Sequence, residues 1–133
     1  MDDLDKVIIS ELKINSKISM KDLGKKLNLT GQAVNNRVKK LENDNIITGY
    51  TISLNQEALN CNIHVFISIY THKISHKPYI DFINQENIFV LNNYKVIGGA
   101  CYLIECRFPD QSDLNHFLER LNKHANYEVL MTI

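Results

Sequence analysis

Apolar positions follow two different rhythms along the chain. In the first third they recur at helical spacing. Leu4, Val7, Ile8 and Leu12 mark a helix over residues 4–14, and Leu23 and Leu27 mark a short second helix over Met20–Leu27. Val34, Val38 and Leu41, at i, i+4 and i+7, mark a third. Ser19 and Thr30 precede the second and third helices as N-caps, and Asn28 and Asn45 follow them as residues able to take the left-handed closing conformation. Leu29 is the buried residue of the turn, and Ile46 to Leu54 alternates as a strand. Residues 55–62 read as a linker. Beyond them the rhythm changes to alternation, with Ile63, Val65, Ile67 and Ile69. Ser75-His76-Lys77-Pro78 then opens a helix whose apolar side is Tyr79, Phe82 and Ile83. Strands are expected at Ile88–Ile97 and Ala100–Phe108, joined by a tight hairpin at Gly98-Gly99 with positive φ at both glycines. An amphipathic helix over Gln111–Lys123 and a strand over Tyr127–Ile133 finish the order β-α-β-β-α-β, the pattern of a ferredoxin-like sandwich. The fold class is therefore α+β, with a helix-turn-helix module over residues 1–54, a linker over 55–62 and a ferredoxin-like module over 63–133.

Charge sharpens this division. The chain of 133 residues is formally neutral, yet Lys13, Lys17, Lys21, Lys25, Lys26, Arg37, Lys39 and Lys40 face a single acid, Asp22, between Lys13 and Leu41. That local excess of seven positive charges leaves the remainder equally acidic, so a basic nucleic-acid-facing module is joined to one with another task. Cys61, Cys101 and Cys106 form no disulfide framework. The acidic Met1-Asp2-Asp3 start lacks an apolar signal region, and no apolar run reaches membrane-spanning length. A reducing cytoplasm is the compartment these features suit.

The third helix carries the chemistry. Opposite its apolar stripe stand Gln32, Asn35, Asn36 and Lys39. Amide side chains can pair bidentately with adenine in a major groove, each good pair giving roughly 1–3 kcal/mol of discrimination. Arg37, Lys39 and Lys40 suit phosphate contacts, Lys21, Lys25 and Lys26 suit the flanking backbone, and Thr30 marks a helix N-terminus whose free amides favour phosphate. The expected partner is double-stranded DNA, with Thr30 to Leu41 as the recognition helix.

These residues carry a resemblance. Leu4-Asp5, Leu23-Gly24, Leu29-Thr30, the run Val34-Asn35-Asn36-Arg37-Val38-Lys39-Lys40-Leu41-Glu42 and Ile46-Ile47-Thr48-Gly49-Tyr50 resemble the Lrp/AsnC, or feast/famine, family of transcriptional regulators over almost the whole chain. The resemblance implies a winged helix-turn-helix, a homodimer or higher even-numbered oligomer, and an amino-acid effector held between sensing modules. It also implies effector contacts at Gly98, Gly99, Ala100 and Cys101. Here the sequence departs from the family, which commonly has Asp where Cys101 stands; a thiol cannot anchor an ammonium group as a carboxylate does. Asn28 and Asn45 stand where the family usually has Gly, and the family often continues beyond the position of Ile133.

Other constellations point elsewhere less strongly. His64, His72, His76, His116 and His124 lack a standard metal-ligand spacing, so neither a metal nor a cofactor is expected. His64, Phe66, Ser68 and Tyr70 form a mixed strand face opposite aliphatic Val65, Ile67 and Ile69, and a second subunit is the simplest cover for it. Glu105 and Arg107 share a strand face, where a cross-strand ion pair is expected. Two alternatives to a ligand-modulated regulator are a ligand-independent architectural DNA-binding protein and an enzyme resembling siroheme decarboxylases. The second fits poorly, because no catalytic constellation has credible spacing and such an enzyme has no use for a polar, basic recognition helix.

Overall fold

A computed structural model describes every residue except Asn87. The chain divides into two compact units, Met1–Ser53 and Leu54–Ile133, each with its own apolar core.

The first unit holds α1 (Asp3–Ile14), α2 (Met20–Leu27) and α3 (Gly31–Asn43). Ile8, Leu12, Leu23, Val34, Val38 and Leu41 are buried together, so each helix contributes the stripe its periodicity announces. Side chains cap all three helices: Asp2 accepts from the Asp5 amide, Ser19 from that of Asp22 and Thr30 from that of Ala33. Asn28 and Asn45 take φ of 55° and 56°, as expected of closing residues. Gly24 lets the turn approach α2, since a Cβ there would lie 2.6 Å from the Leu29 carbonyl oxygen. The strand expected over 46–54 is not formed: no sheet ladder of the described residues includes it, and Tyr50, Ile52 and Leu54 are exposed. Alternation supplies strand propensity, but a strand exists only when another backbone completes its hydrogen bonds. The wing implied by the family resemblance is thus unpaired among the described residues.

The second unit contains β1 (Ile63–Tyr70), α4 (Lys77–Gln85), β2 (Val90–Lys95), β3 (Tyr102–Phe108), α5 (Gln111–Leu121) and β4 (Asn126–Met131). The sheet is antiparallel with strand order β2-β3-β1-β4. Val65, Ile67, Ile69, Ile104, Cys106 and Phe108 pack with Tyr79, Phe82, Ile83, Leu114, Phe117 and Leu121, which are the apolar sides of α4 and α5. Residues 55–62, expected as a linker, contain a compact turn. Its Leu59 and Cys61 amides donate to the Asn55 and Gln56 carbonyls, Asn60 has φ of 58°, and Arg107 of β3 donates to the Cys61 carbonyl. The hairpin between β2 and β3 also differs from expectation. Lys95 pairs with Tyr102 and the Val96 amide donates to the Cys101 carbonyl, leaving a four-residue loop, Ile97 to Ala100. A loop of that length turns the chain with one left-handed residue, Gly98 at φ 126°, where a two-residue type I′ turn would have used both glycines.

Candidate nucleic-acid interface

Stepping round α3 at about 100° per residue places Gln32, Asn36 and Lys39 about 140–200° from Val34. They lie opposite the stripe of Val34, Val38 and Leu41 that locks into α1 and α2, and all three are exposed. Asn35 is half-buried on the flank. The Gln32 amide donates to Asn36 Oδ1 at 2.9 Å, so the two form one polar surface one turn apart. Gly31 opens the helix against α2, where a Cβ would meet the Lys21 backbone at 3.3 Å. This close approach brings Lys21 and the Thr30 end of α3 together. The Thr30 hydroxyl is occupied as the cap, accepting from the Ala33 amide at 3.1 Å, so any phosphate contact there falls to the helix amides.

The cations separate into two groups. Lys21, Lys25, Lys39 and Lys40 are exposed and, among the described residues, make no salt bridge. Lys26 bonds Glu11 of α1 at 2.9 Å. Arg37 is more firmly held: its Nη1 donates to both Asp2 carboxylate oxygens, at 3.1 and 2.8 Å, and to Asp5 at 3.1 Å. The guanidinium holds the Asp2 carboxyl down at about 2, helped by the Asp5 amide, and the two acids raise the Arg37 guanidinium in return. Sequence reasoning placed Arg37 and Lys26 with the phosphate-contacting cations; their carboxylate partners come from α1 and its N-cap, a pairing no local spacing reveals.

The four positions expected to hold an effector stay together in the β2–β3 loop. Among the described residues, nothing lies within 4 Å of a Cβ built at Gly98 or Gly99. The Cys101 thiol turns to the Thr71 carbonyl at 3.7 Å and its amide donates to the Ile69 carbonyl at 2.8 Å. The open face of the sheet carries a network that sequence reasoning saw only in part. Glu105 does pair across strands, but with the imidazole of His64 at 2.6 Å, while its other oxygen accepts from Asn92 at 2.8 Å; both partners lower the Glu105 pKa, Asn92 more than His64. The Thr132 hydroxyl lies 3.2 Å from His64 Nδ1.

A tri-helical unit that buries one side of its third helix and presents amides and lysines on the other, joined to a ferredoxin-like unit, defines a helix-turn-helix DNA-binding protein with an appended α+β module. The AsnC-type helix-turn-helix domain model matches residues 1–42. The chain belongs to the Lrp/AsnC family of helix-turn-helix transcriptional regulators. It is 49% identical over 133 residues to the regulator LrpA of Bacillus subtilis, covering 100% of this chain and 98% of the relative. It is 33% identical to LrpB of the same organism, covering 100% and 89%. Among solved structures, B. subtilis LrpC superposes with a TM-score of 0.94 at 26% identity, covering 100% of this chain and 94% of that one. A Neisseria meningitidis transcriptional regulator in complex with L-methionine shares the fold, with a TM-score of 0.92 at 22% identity, covering 100% and 90%. The relatives are named as transcriptional regulators, and no helix of the described residues is long and apolar enough to cross a membrane.

Proposed function

We propose that this regulator reads double-stranded DNA in the major groove with α3, as a cytoplasmic homodimer or larger even-numbered assembly, and does not act as an enzyme. Gln32, Asn35 and Asn36 meet base edges, and Lys39 beside them meets a phosphate. Lys21, Lys25 and Lys40 and the amides at the Thr30 end of α3 meet phosphates. The observation that carries this reading is the exposed amide and lysine face of α3, set opposite a stripe that is fully committed to packing. The open sheet face, with Phe66 and Tyr70 half-buried beside the His64–Glu105 pair, supplies the surface for the second subunit. Pairing the two recognition helices fixes their spacing on successive half-sites, and a small molecule that favours one arrangement alters affinity.

The test is a binding titration on promoter fragments at several salt concentrations. Specific, salt-sensitive binding is expected, with Asn36→Ala weakening it by about 1–3 kcal/mol at the base it reads and Lys39→Ala reducing the salt dependence. Equal affinity for random DNA would reject the reading. Family membership makes an amino acid the effector class to try at Gly98 to Cys101. The engaged Cys101 thiol favours a second reading, a ligand-independent architectural protein, and calorimetry against the amino acids separates the two.

A further inference from the structure

Arg37 has the residue type of a phosphate contact but not the placement. It lies about 60° round α3 from Val34, on the side of α1, whereas the exposed face is centred on the far side of the helix. There its Nη1 meets two carboxylates, Asp2 and Asp5, through three bonds of 2.8–3.1 Å. Its side chain is 36% exposed and that of Asp5 only 16%. One guanidinium outnumbered by two carboxylates offers a phosphate little net attraction, because the two acids repel an anion approaching its remaining N–H groups. The same Asp2 is also the N-cap of α1, taking the Asp5 amide at 2.9 Å while Asp5 reaches back to the Asp2 amide in a capping box. The first turn of α1 and the middle of α3 are thus one hydrogen-bonded unit.

We propose that the Asp2–Arg37–Asp5 clamp is a positioning device that fixes the rotation of the recognition helix about its own axis, and that Arg37 itself makes no DNA contact. The apolar seam beneath α3 is non-directional and tolerates small rotations; a multiply bonded guanidinium does not. With side chains extending about 5–6 Å from a helix axis, a rotation of about 10° moves the Gln32 and Asn36 amides by about 1 Å. Such a shift spoils hydrogen bonds whose useful range is about 2.7–3.2 Å. Long lysine side chains reaching phosphates absorb it. The clamp therefore governs sequence discrimination and leaves electrostatic affinity nearly untouched.

This inference rests on α3 being the DNA-reading helix, and one experiment separates the two claims. The probes are a duplex selected by the unmodified protein from a random-sequence pool and a scrambled duplex of the same length. Each is titrated over a range of salt with the unmodified protein and the Arg37→Met, Asp2→Asn/Asp5→Asn and Lys39→Ala variants, with thermal melts to establish that each variant is folded. Arg37→Met is expected to lower the selected-to-scrambled affinity ratio at least tenfold while keeping the slope of log K against log[salt]. Lys39→Ala, in contrast, loses about 0.9 of slope. The double asparagine variant removes no cation and keeps residues able to cap α1, yet should lose discrimination as Arg37→Met does. A slope lowered by about one in Arg37→Met with the ratio preserved would make Arg37 a phosphate contact and overturn the proposal, as would an unchanged ratio in both clamp variants. If the unmodified protein selects no sequence at all, the DNA reading itself falls.

Discussion

Single side chains in the first unit hold conformations that neighbouring residues depend on. Asn28 closes α2 with φ of 55°, a region in which an L-residue with a plain Cβ is strained by about 1–2 kcal/mol. Asn28→Ala should therefore lower stability by about 1 kcal/mol in chemical denaturation, while Asn28→Gly should leave it unchanged or raise it slightly. Asp2 makes a second residue-level prediction. Its folded pKa of about 2 lies below the ordinary 3.8, because Arg37 and the Asp5 amide favour the carboxylate. A depressed acid stabilises the fold above its unfolded pKa and loses that contribution as pH falls through its folded value. The advantage in melting temperature over Asp2→Asn should be full at pH 5, shrink below about pH 4 and be gone only below about pH 2. Both positions show how legibility varies among residues. The backbone role of Asn28 is set by its immediate neighbours and could be read from the chain. The ion pair of Asp2 spans 35 residues and could not.

Elements were readable where one face is buried by partners the pattern itself implies. β1 and β3 alternate between Val65, Ile67, Ile69 and Ile104, Cys106, Phe108 on the core side and half-exposed residues on the other. α5 seats Phe117 against Phe82 and Phe108, with ring centroids 5.5 and 5.2 Å away. Phe117→Ala removes the ring that joins helix to sheet, and should cost about 3–5 kcal/mol in a denaturant titration. Cys106 lies in the same core, and burial pushes its thiol up to about 12. β2 was less legible: expected over Ile88–Ile97, it spans Val90–Lys95, and its pairing shifts register between Val90 and Asn92. An edge strand with mostly exposed side chains carries a weak pattern, so its ends are set by the neighbouring β3. Residues 46–54 carry a good pattern but have no strand paired with them among the described residues, and propensity without a partner makes no strand.

At the scale of the molecule, the open sheet face is where assembly is to be tested. Phe66→Glu places a carboxylate beside Glu105 and opposite Leu130, on the face proposed to meet a second subunit. Light scattering should show loss of the dimer, and affinity for paired half-sites should fall with it while each unit keeps its far-ultraviolet helix and sheet signal. The order of the helices, the order of the strands in the second unit, the concentration of positive charge between Lys13 and Leu41, and the two sides of α3 were all determined by the sequence itself. Each is a local matter of periodicity, capping and charge within a few turns of chain. Tertiary structure alone decided that Arg37 belongs to Asp2 and Asp5, that His64 belongs to Glu105, and that no ladder among the described residues takes up the residues after α3. Those outcomes depend on which distant groups arrive at hydrogen-bonding distance, and only the packing of the elements brings them there.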